Sequence, residues 1–267
     1  MSAKDASKAV PNKASAAAKV RSARKAITKV LPFNPLEKRV LGAAIAEVLL
    51  TTRVYALTER FPCKGPGIYA IYYTGNFSAY GKLAELNKAE AGKWPIYVGQ
   101  ALPTGGRRGI EVDAEGNDLR ERVSKHLRSL KSAENLNPDD FQYRALVMDD
   151  AFIRLGETSL LALYKPIWNK YVDGFGNNTP GKGRANSMRS RWDTLHGGRS
   201  QALEHLDRLE DVALILKEIE RELANTNFDL PETLVNAREQ SMGFMPDMSL
   251  ERVVNEDEQG SDDSERT

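Results

Sequence analysis

Two short apolar runs, each holding a triplet with tyrosine and glycine, constrain the fold of this chain more than any other feature. The first reads PGIYAIYY over residues 66–73, and the second reads WPIYVGQ over residues 94–100. Tyr, Ile and Val favour extended backbone and a proline stands at the start of each run, so both runs predict β-strands. Pairing of these strands would bring Tyr69 and Tyr97 toward one surface, although two ordinary core tyrosines give the same pattern.

The segment 117–131, NDLRERVSKHLRSLK, predicts a helix with one apolar face. Asp118 stands at the expected N-cap, and Glu121 three residues later completes a capping box. Arg122 and His126 are four residues apart, so they lie on one side of the helix, at the edge of its apolar face. A guanidinium and an imidazole would therefore project together from that edge.

A third strand is predicted over 141–148, FQYRALVM, and a second helix over 150–164. In this helix Glu157 lies among apolar residues on the side that we expect to be buried. The neighbours in question are Ile153, Leu160, Leu161 and Tyr164. Burial of a carboxylate costs several kcal/mol unless the group is paired or holds a metal, so Glu157 is a candidate metal ligand. The KPIWN sequence that follows puts Asn169 just past the helix end.

In this order, the GIY and YVG strands, Arg-x-x-x-His on a helix, one Glu on the next helix and a Lys-Pro-x-x-Asn ending resemble the GIY-YIG nuclease superfamily. The resemblance covers roughly residues 65–170. Two departures are the YVG triplet in place of YIG and an insertion at 74–93 between the triplets. This insertion, the helix before the core and the basic segment after it are most similar to type II restriction endonucleases that cut the palindrome CCGCGG.

The resemblance implies an α/β (α+β) fold, with a small, mostly antiparallel three-stranded sheet flanked by helices and extended at both ends. It also implies Mg²⁺-dependent hydrolysis of phosphodiester bonds at a specific palindromic site in double-stranded DNA. A cognate DNA methyltransferase would be the genetic partner of such an enzyme. The alternatives are a structure-specific or DNA-repair nuclease on this scaffold and a DNA-binding module without catalysis.

The resemblance assigns catalysis to six residues: Tyr69, Tyr97, Arg122, His126, Glu157 and Asn169. Glu157 would hold Mg²⁺, which often takes only one or two protein carboxylates. Arg122 would hold the non-bridging phosphate oxygens as their charge grows. Tyr69 is the favoured general base, positioned by Tyr97 and His126, and His126 is the alternative base because its intrinsic pKa suits the task. Asn169 would fix the backbone of the site or cap a helix end.

DNA contacts are expected mainly from the segment 173–199, which is rich in Gly, Asn and Arg. A loop of this length in a compact protein is usually functional, and arginine can bind phosphates or guanine edges. The expected contacts are Lys182, Arg184, Arg189, Arg191 and Arg199, with Arg107 and Arg108 added from the Gly-rich stretch 101–116. His196 could also contact DNA from this segment. The other interpretation of 173–199 is a solvated loop.

Two further segments predict helices with apolar surfaces. Residues 36–60 are apolar over much of the helix circumference, whereas 201–225 form an amphipathic helix with a seam along 203–223. A palindromic site has a two-fold axis, which a protein dimer can share. We therefore expect a homodimer with 36–60 near its interface, because the narrower seam can be covered within one subunit.

Charge is distributed unevenly along the chain. Residues 1–32 carry eight Lys or Arg and one Asp, whereas residues 227–267 carry eleven Asp or Glu and three Arg. Such segments have little to bury, which predicts disordered tails, and the basic one could neutralise DNA phosphates. The predicted organisation is a basic tail (1–34), a helical arm (35–64), a nuclease core (65–172), a basic loop with an amphipathic helix (173–226) and an acidic tail (227–267).

A single cysteine, Cys63, excludes an intramolecular disulfide and fits a reducing compartment. No apolar run approaches the ~18 residues of a membrane span, and the N-terminus lacks the apolar stretch of a secretory signal. A cytoplasmic protein without a membrane partner is therefore expected. The sequence holds neither a zinc-binding set of His and Cys nor a nucleotide-binding Gly-rich loop.

Overall fold

The computed structural model describes residues 38–60, 62, 64–103, 116–176 and 187–229, with side chains from residue 43 onward. The chain divides into two units, Met1–Glu37 and Lys38–Thr267, and every described residue belongs to the second. The predictions for the basic tail, for the acidic tail beyond residue 229, and for Cys63, Arg107, Arg108, Lys182 and Arg184 therefore lie outside the described residues. The boundaries predicted inside the second unit stay predictions.

The four strands are interspersed with helices in the first part of the described chain, and the last four elements are all helices. In order they are α1 (Lys38–Thr51), β1 (Tyr55–Ala56), β2 (Gly67–Tyr73), α2 (Gly81–Ala89), β3 (Tyr97–Ala101), α3 (Asp118–Ser132), β4 (Phe141–Val147), α4 (Asp150–Tyr164), α5 (Ile167–Lys170), α6 (Arg191–His196) and α7 (Val212–Asn225). Short 3₁₀ turns occupy Ser78–Tyr80, Pro138–Asp140 and Ser200–Glu204. Among these described helices, none has the length and apolar character needed to cross a bilayer.

The strands form one antiparallel sheet in the order β1-β4-β2-β3. The mixed fold with a small antiparallel sheet and flanking helices is thus confirmed, and all three predicted strands are present. The two-residue strand β1 adds a fourth, and it comes from the segment 36–60 that was expected to be wholly helical. That expectation was wrong at its end, because α1 stops at Thr51. The hydroxyls of Thr51 and Thr52 donate to carbonyls of its last turn, and the β-branched residues favour extended chain.

Helices cover both faces of the sheet around its central strand β2, which is buried along its whole length. Alternate residues of a strand point to opposite faces. The hydroxyl of Tyr69 meets α3, whereas the side chain of Ile68 meets α4 at Gly156, so these two helices lie on opposite faces. A strand enclosed in this way must be apolar on both sides, which explains the continuous GIYAIYY run.

Helix α1 is covered by its own subunit. Its apolar residues Ile45, Ala46, Leu49 and Leu50 are buried, and the helix packs against α4. Buried Arg144 on β4 donates from Nη1 to the carbonyls of Leu50 and Thr52, which ties the end of α1 to the sheet. Among the large apolar residues of this helix whose side chains the structure describes, only Val48 is exposed, at 38%, so most of the apolar surface that we expected to need a partner subunit is covered within the chain.

The C-terminal part differs from the prediction in two places. The helix predicted over 201–225 begins only at Val212, where the Asp211 carboxylate accepts from the backbone N–H of Ala213. Because residues 205–211 are not helical, Leu206 and Leu209 do not join a buried seam and are 58% and 95% exposed. The segment 173–199 is not one long loop either, since α6 lies inside it.

Candidate active site

The hydroxyl of Tyr69 is the centre of the site. It lies 2.6 Å from Nε2 of His126 and accepts a hydrogen bond of 3.3 Å from Nε of Arg122. The ring of Tyr97 is tilted against that of Tyr69, with 6.2 Å between centroids. Four of the six residues predicted as catalytic therefore meet at one point, where β2, β3 and α3 face each other.

The glycine of the YVG triplet makes room for this arrangement. The strand register sets Gly99 directly opposite Tyr69, and a Cβ at Gly99 would lie far inside van der Waals distance of the Tyr69 hydroxyl and ring. Any larger residue would displace the hydroxyl from its partners. The two triplets therefore form a single unit, in which one strand supplies the tyrosine and the other supplies the space.

Helix α3 brings Arg122 and His126 to Tyr69 because its apolar face is anchored in the core. Leu119, Val123 and Leu130 are buried along that face, and His126 is buried with them. The predicted spacing of Arg122 and His126 therefore holds in the structure. The predicted capping box does not: the helix begins at Asp118, and the side chain of the N-cap residue Asn117 makes no capping hydrogen bond.

Burial keeps the Tyr69–His126 pair uncharged. Burial, with smaller contributions from nearby cations beginning with Arg122, lowers the pKa of His126 well below its usual value. Burial, together with nearby Tyr97, raises the pKa of Tyr69 well above its usual value, and Arg122 opposes this shift. A neutral imidazole accepts at one ring nitrogen. In the tautomer that carries its hydrogen on Nδ1, His126 accepts the proton of the Tyr69 hydroxyl at Nε2.

Glu157 lies on α4 beside Gly156, where the helix approaches Ile45 and Ile68 closely. The residue is half-buried, and this burial raises the pKa of its carboxyl group, with Arg122 and then Arg154 acting in the opposite direction. The charge of Glu157 in turn contributes to the raised pKa of Tyr97, after the larger effect of burial. The carboxylate thus shares one electrostatic environment with the tyrosines and Arg122.

The donor set suits Mg²⁺ when a substrate is present. Within the described ranges, no group of three or more His, Cys, Asp and Glu side chains could hold a metal without other ligands. Mg²⁺ keeps several waters and is usually bound through one or two carboxylates together with substrate phosphates. A half-buried carboxylate that senses the charge of a partly exposed arginine fits that pattern, and Glu157 is the residue that would hold the ion.

Asn169 binds the backbone of β3 and does not cap a helix. Its side-chain Oδ1 accepts from the N–H of Val98, and its Nδ2 donates to the carbonyl of Val98, both at 2.8 Å. The residue lies in α5, while α4 ends at Lys165 in a left-handed conformation with φ of 44°. Because Val98 follows Tyr97 directly, this paired amide fixes the strand that carries the second tyrosine.

The three arginines that were expected to contact DNA and that the structure describes form ion pairs within the chain. Arg189 pairs with Asp207, Arg191 with Glu210 and Glu218, and Arg199 with Asp193. The Arg199 side chain is only 4% exposed and that of Asp193 only 6%, so burial gives Arg199 a structural role in this conformation. Arg189 and Arg191 remain partly exposed, and their contact with DNA stays a prediction.

His196 is not available to DNA in this arrangement, because it is buried. Its Nε2 lies 2.8 Å from the Tyr80 hydroxyl, and its Nδ1 lies 2.8 Å from Oδ1 of Asn135. The Trp168 indole N–H donates to the same Tyr80 hydroxyl. These bonds attach α6 to the insertion between the triplets, so the DNA-contact hypothesis for His196 was wrong.

Two residues that the sequence did not single out complete the site. The Phe175 ring stacks on the His126 ring, with 4.5 Å between centroids and 22° between planes. The carbonyl of Gly176 accepts a hydrogen bond of 2.9 Å from Nη2 of Arg122. No spacing pattern signals such contacts, because they join α3 to a segment about fifty residues later in the chain.

A cleft of about 370 Å³ opens beside Arg122. It is lined by the end of β3 and by the first turns of α3, with Gln100, Leu102, Asp118, Glu121 and Lys125 among its walls. The guanidinium is only partly buried, so a phosphate in this cleft could reach it. The cleft therefore opens beside the arginine that hydrogen-bonds to Tyr69.

The family model of the Eco29kI GIY-YIG domain matches residues 61–223 of the chain. This range includes all six residues predicted as catalytic, the insertion after β2, and α6 with most of α7. The comparison with curated proteins gives no match.

The buried histidines predict a stability that falls in acid. Burial, with a smaller effect of Arg199, lowers the pKa of His196 to about 3, and the pKa of His126 is lowered in the same direction. Below a pH of about 6.5 the unfolded chain binds protons that the folded chain does not, so the free energy of unfolding should fall by roughly 1 kcal/mol per pH unit and histidine. Urea unfolding between pH 7 and pH 5 measures this slope.

The variant His196→Asn is the control for this measurement, since it removes one of the two buried imidazoles. About half of the slope should disappear in this variant. An unchanged slope would show that proton uptake by other groups, and not by the buried histidines, determines the acid sensitivity.

Proposed function

The chain belongs to the Eco29kI GIY-YIG domain family of restriction-type nucleases, and from this premise we propose that it is a type II restriction endonuclease. It would hydrolyse phosphodiester bonds at a specific palindromic site in double-stranded DNA, with Mg²⁺ as its cofactor. CCGCGG is the first site to test. A cognate DNA methyltransferase would protect the host genome and would be a genetic partner rather than a bound one.

The observation that carries this proposal is the hydrogen-bonded group of Tyr69, His126 and Arg122. Hydrolysis of a phosphodiester needs a group that accepts a proton from water and a cation that stabilises the growing charge on phosphate. The Tyr69 hydroxyl, 2.6 Å from a neutral imidazole, supplies the first, and the partly exposed guanidinium of Arg122 supplies the second. A binding module would not need a buried pair of this kind.

The geometry favours a proton relay through both residues. A water molecule that attacks phosphorus would give its proton to Oη of Tyr69, while Tyr69 passes its own proton to Nε2 of His126. Tyr69 therefore accepts the proton from water without existing as a free phenolate, which its raised pKa disfavours. The imidazolium that forms is compensated by the negative charge that develops on the substrate.

Glu157 would hold Mg²⁺ next to this relay. When bound, the ion would neutralise charge on the phosphate and stabilise the leaving oxygen. Arg122 would exchange part of its resting hydrogen bonding for the phosphate oxygens, and Asn169 would keep β3 and Tyr97 in place. These contributions position the scissile phosphate against Tyr69.

A homodimer remains the economical way to cut both strands of a palindrome. The covered surface of α1 leaves little apolar area there for a partner. By contrast, an exposed C-terminal apolar patch is formed by Met188, Leu203, Leu206 and Leu209. Met188 and Leu206 are adjacent, because they form a parallel β-bridge, and Leu203 and Leu209 lie three residues before and after Leu206 in the chain. We therefore infer that this patch, rather than α1, lies at the dimer interface.

The first prediction from the proposed function concerns the role of Glu157 in catalysis. The variant Glu157→Gln keeps the shape of the side chain but removes its charge, so DNA cleavage with Mg²⁺ should fall by at least about 100-fold while DNA affinity in Ca²⁺ stays within about two-fold. Timed digestion of a plasmid that contains CCGCGG gives the cleavage rate, and sequencing of the fragment ends gives the cleavage site. Glu220→Gln on the exposed side of α7 is the matched control. Parental cleavage by Glu157→Gln would refute the metal assignment.

A second prediction separates the roles of Tyr69 and His126. Tyr69→Phe and His126→Ala should each reduce single-turnover cleavage by roughly 100-fold or more, since a relay fails when either member is missing. Tyr73→Phe is the control, because it also removes a tyrosine hydroxyl from β2. That hydroxyl accepts a hydrogen bond from the N–H of Phe77 and lies outside the proposed relay. Activity in Tyr69→Phe together with an inactive His126→Ala would mean that His126 acts on water directly.

A third prediction concerns assembly. Leu206→Glu places a charge in the C-terminal apolar patch and should give monomers that nick plasmid DNA instead of breaking both strands. Val48→Glu, on the exposed face of α1, should leave the dimer intact. Sedimentation with and without a cognate duplex measures both variants. If Val48→Glu dissociates the dimer and Leu206→Glu does not, the interface lies at α1. If the unmodified chain is a monomer that nicks DNA, the repair-nuclease alternative is favoured.

A further inference from the structure

Residues 173–176, named here the strap, touch the catalytic group at two points. Phe175 covers one face of the His126 ring and also packs edge-on against the Tyr97 ring, at 5.2 Å between centroids. The next residue, Gly176, accepts from Arg122 through its carbonyl. The strap thus contacts three of the residues proposed to act on the phosphate, although it lies outside the segment that resembles the nuclease core.

The His126 ring needs such a contact. Rotation of an imidazole about its last side-chain bond is broad, so a single hydrogen bond does not fix the plane of the ring. Among the described residues, Tyr69 is the hydrogen-bond partner of that ring, and the remaining contacts are with aromatic rings. Stacking on Phe175 therefore decides whether Nε2 points at the Tyr69 hydroxyl.

Gly176 lies so close to Tyr97 that no side chain fits at this position. A Cβ at this position would fall well inside van der Waals distance of the Tyr97 hydroxyl. The backbone can therefore reach Arg122 only because the residue has no side chain. The carbonyl of Gly176 accepts a hydrogen bond from Nη2 of Arg122, while Nε of the same guanidinium donates to Tyr69.

A buried ion pair holds the strap in this position. Arg199 donates to both carboxylate oxygens of Asp193, at 2.6 and 2.7 Å. The same guanidinium donates to the carbonyls of Gly174 at 3.0 Å and Phe175 at 3.2 Å. The planar fork of arginine can satisfy a carboxylate and two carbonyls at once, which the single ammonium of lysine cannot do.

We propose that Phe175 and Gly176 are positioning residues of the active site, and that the Arg199–Asp193 pair sets them. This inference rests on the proposed nuclease function for its effect on rate. Phe175 fixes the plane of the His126 ring, Gly176 fixes the direction of the Arg122 guanidinium, and Arg199 orients the backbone that carries both.

The test compares Phe175→Leu and Arg199→Lys with Phe152→Leu, whose parent ring is 42% exposed on α4. Two measurements are made on the full chain. The first is the single-turnover cleavage rate at saturating CCGCGG duplex with Mg²⁺, alongside the affinity for that duplex in Ca²⁺. The second is the ¹⁵N and ring-proton NMR spectrum of His126 without DNA, assigned with a His126→Gln sample.

For Phe175→Leu and Arg199→Lys we expect the cleavage rate to fall by about 10- to 100-fold while affinity changes less than about two-fold, because misplacement acts on the chemical step. The His126 ring signals should shift in both variants and stay unchanged in Phe152→Leu. Gly176→Ala should behave like Phe175→Leu, and Gly81→Ala is its control, because a Cβ at Gly81 would meet nothing within 4 Å.

Parental cleavage rates with unchanged His126 signals would overturn the proposal. Equal losses of rate and affinity would also overturn it, since they indicate a general structural role. If the parent chain cleaves no DNA, the proposed function fails, and the His126 signals of the variants still decide whether the strap orients the ring.

Discussion

The structure depends on one hydrogen bond in an apolar setting, between the Tyr69 hydroxyl and Nε2 of His126. Three independent conditions must hold for it to form. The register of β2 against β3 has to put Gly99 beside the tyrosine, the apolar face of α3 has to fix the rotation of that helix, and the strap has to fix the imidazole plane. A shift of one residue in the strand register would turn Tyr69 to the opposite face and remove the site.

The same burial that orders this pair also determines its charge. Away from water, neither the phenolate nor the imidazolium is stable by itself, and both pKa shifts follow from that cost. The resting pair is therefore neutral, and a proton can move only when compensating charge arrives with the substrate. Arg122, which lies between the cleft and the tyrosine, is placed to couple these two events.

The sequence predicted what depends on local periodicity. The three main strands, the shared edge of Arg122 and His126, and the half-buried position of Glu157 follow from alternation, helical spacing and the cost of burying a carboxylate. The strap, the Arg199–Asp193 pair and the bonds of Asn169 to Val98 did not follow, because they join residues far apart in the chain. The sequence wrongly assigned Leu206 and Leu209 to the last helix, because their three-to-four spacing continues that of α7 although the helix begins only after Asp211.

The paired amide of Asn169 has a consequence for the outer edge of the sheet. Strand β3 is the last in the order, and an open edge of this kind invites pairing with strands of other molecules. Asn169 occupies both outward backbone groups of Val98, and the N–H of Trp168 occupies the carbonyl of Ile96. Helix α5 thus substitutes for a fifth strand, and it shields the tyrosine-rich ladder from edge-to-edge aggregation.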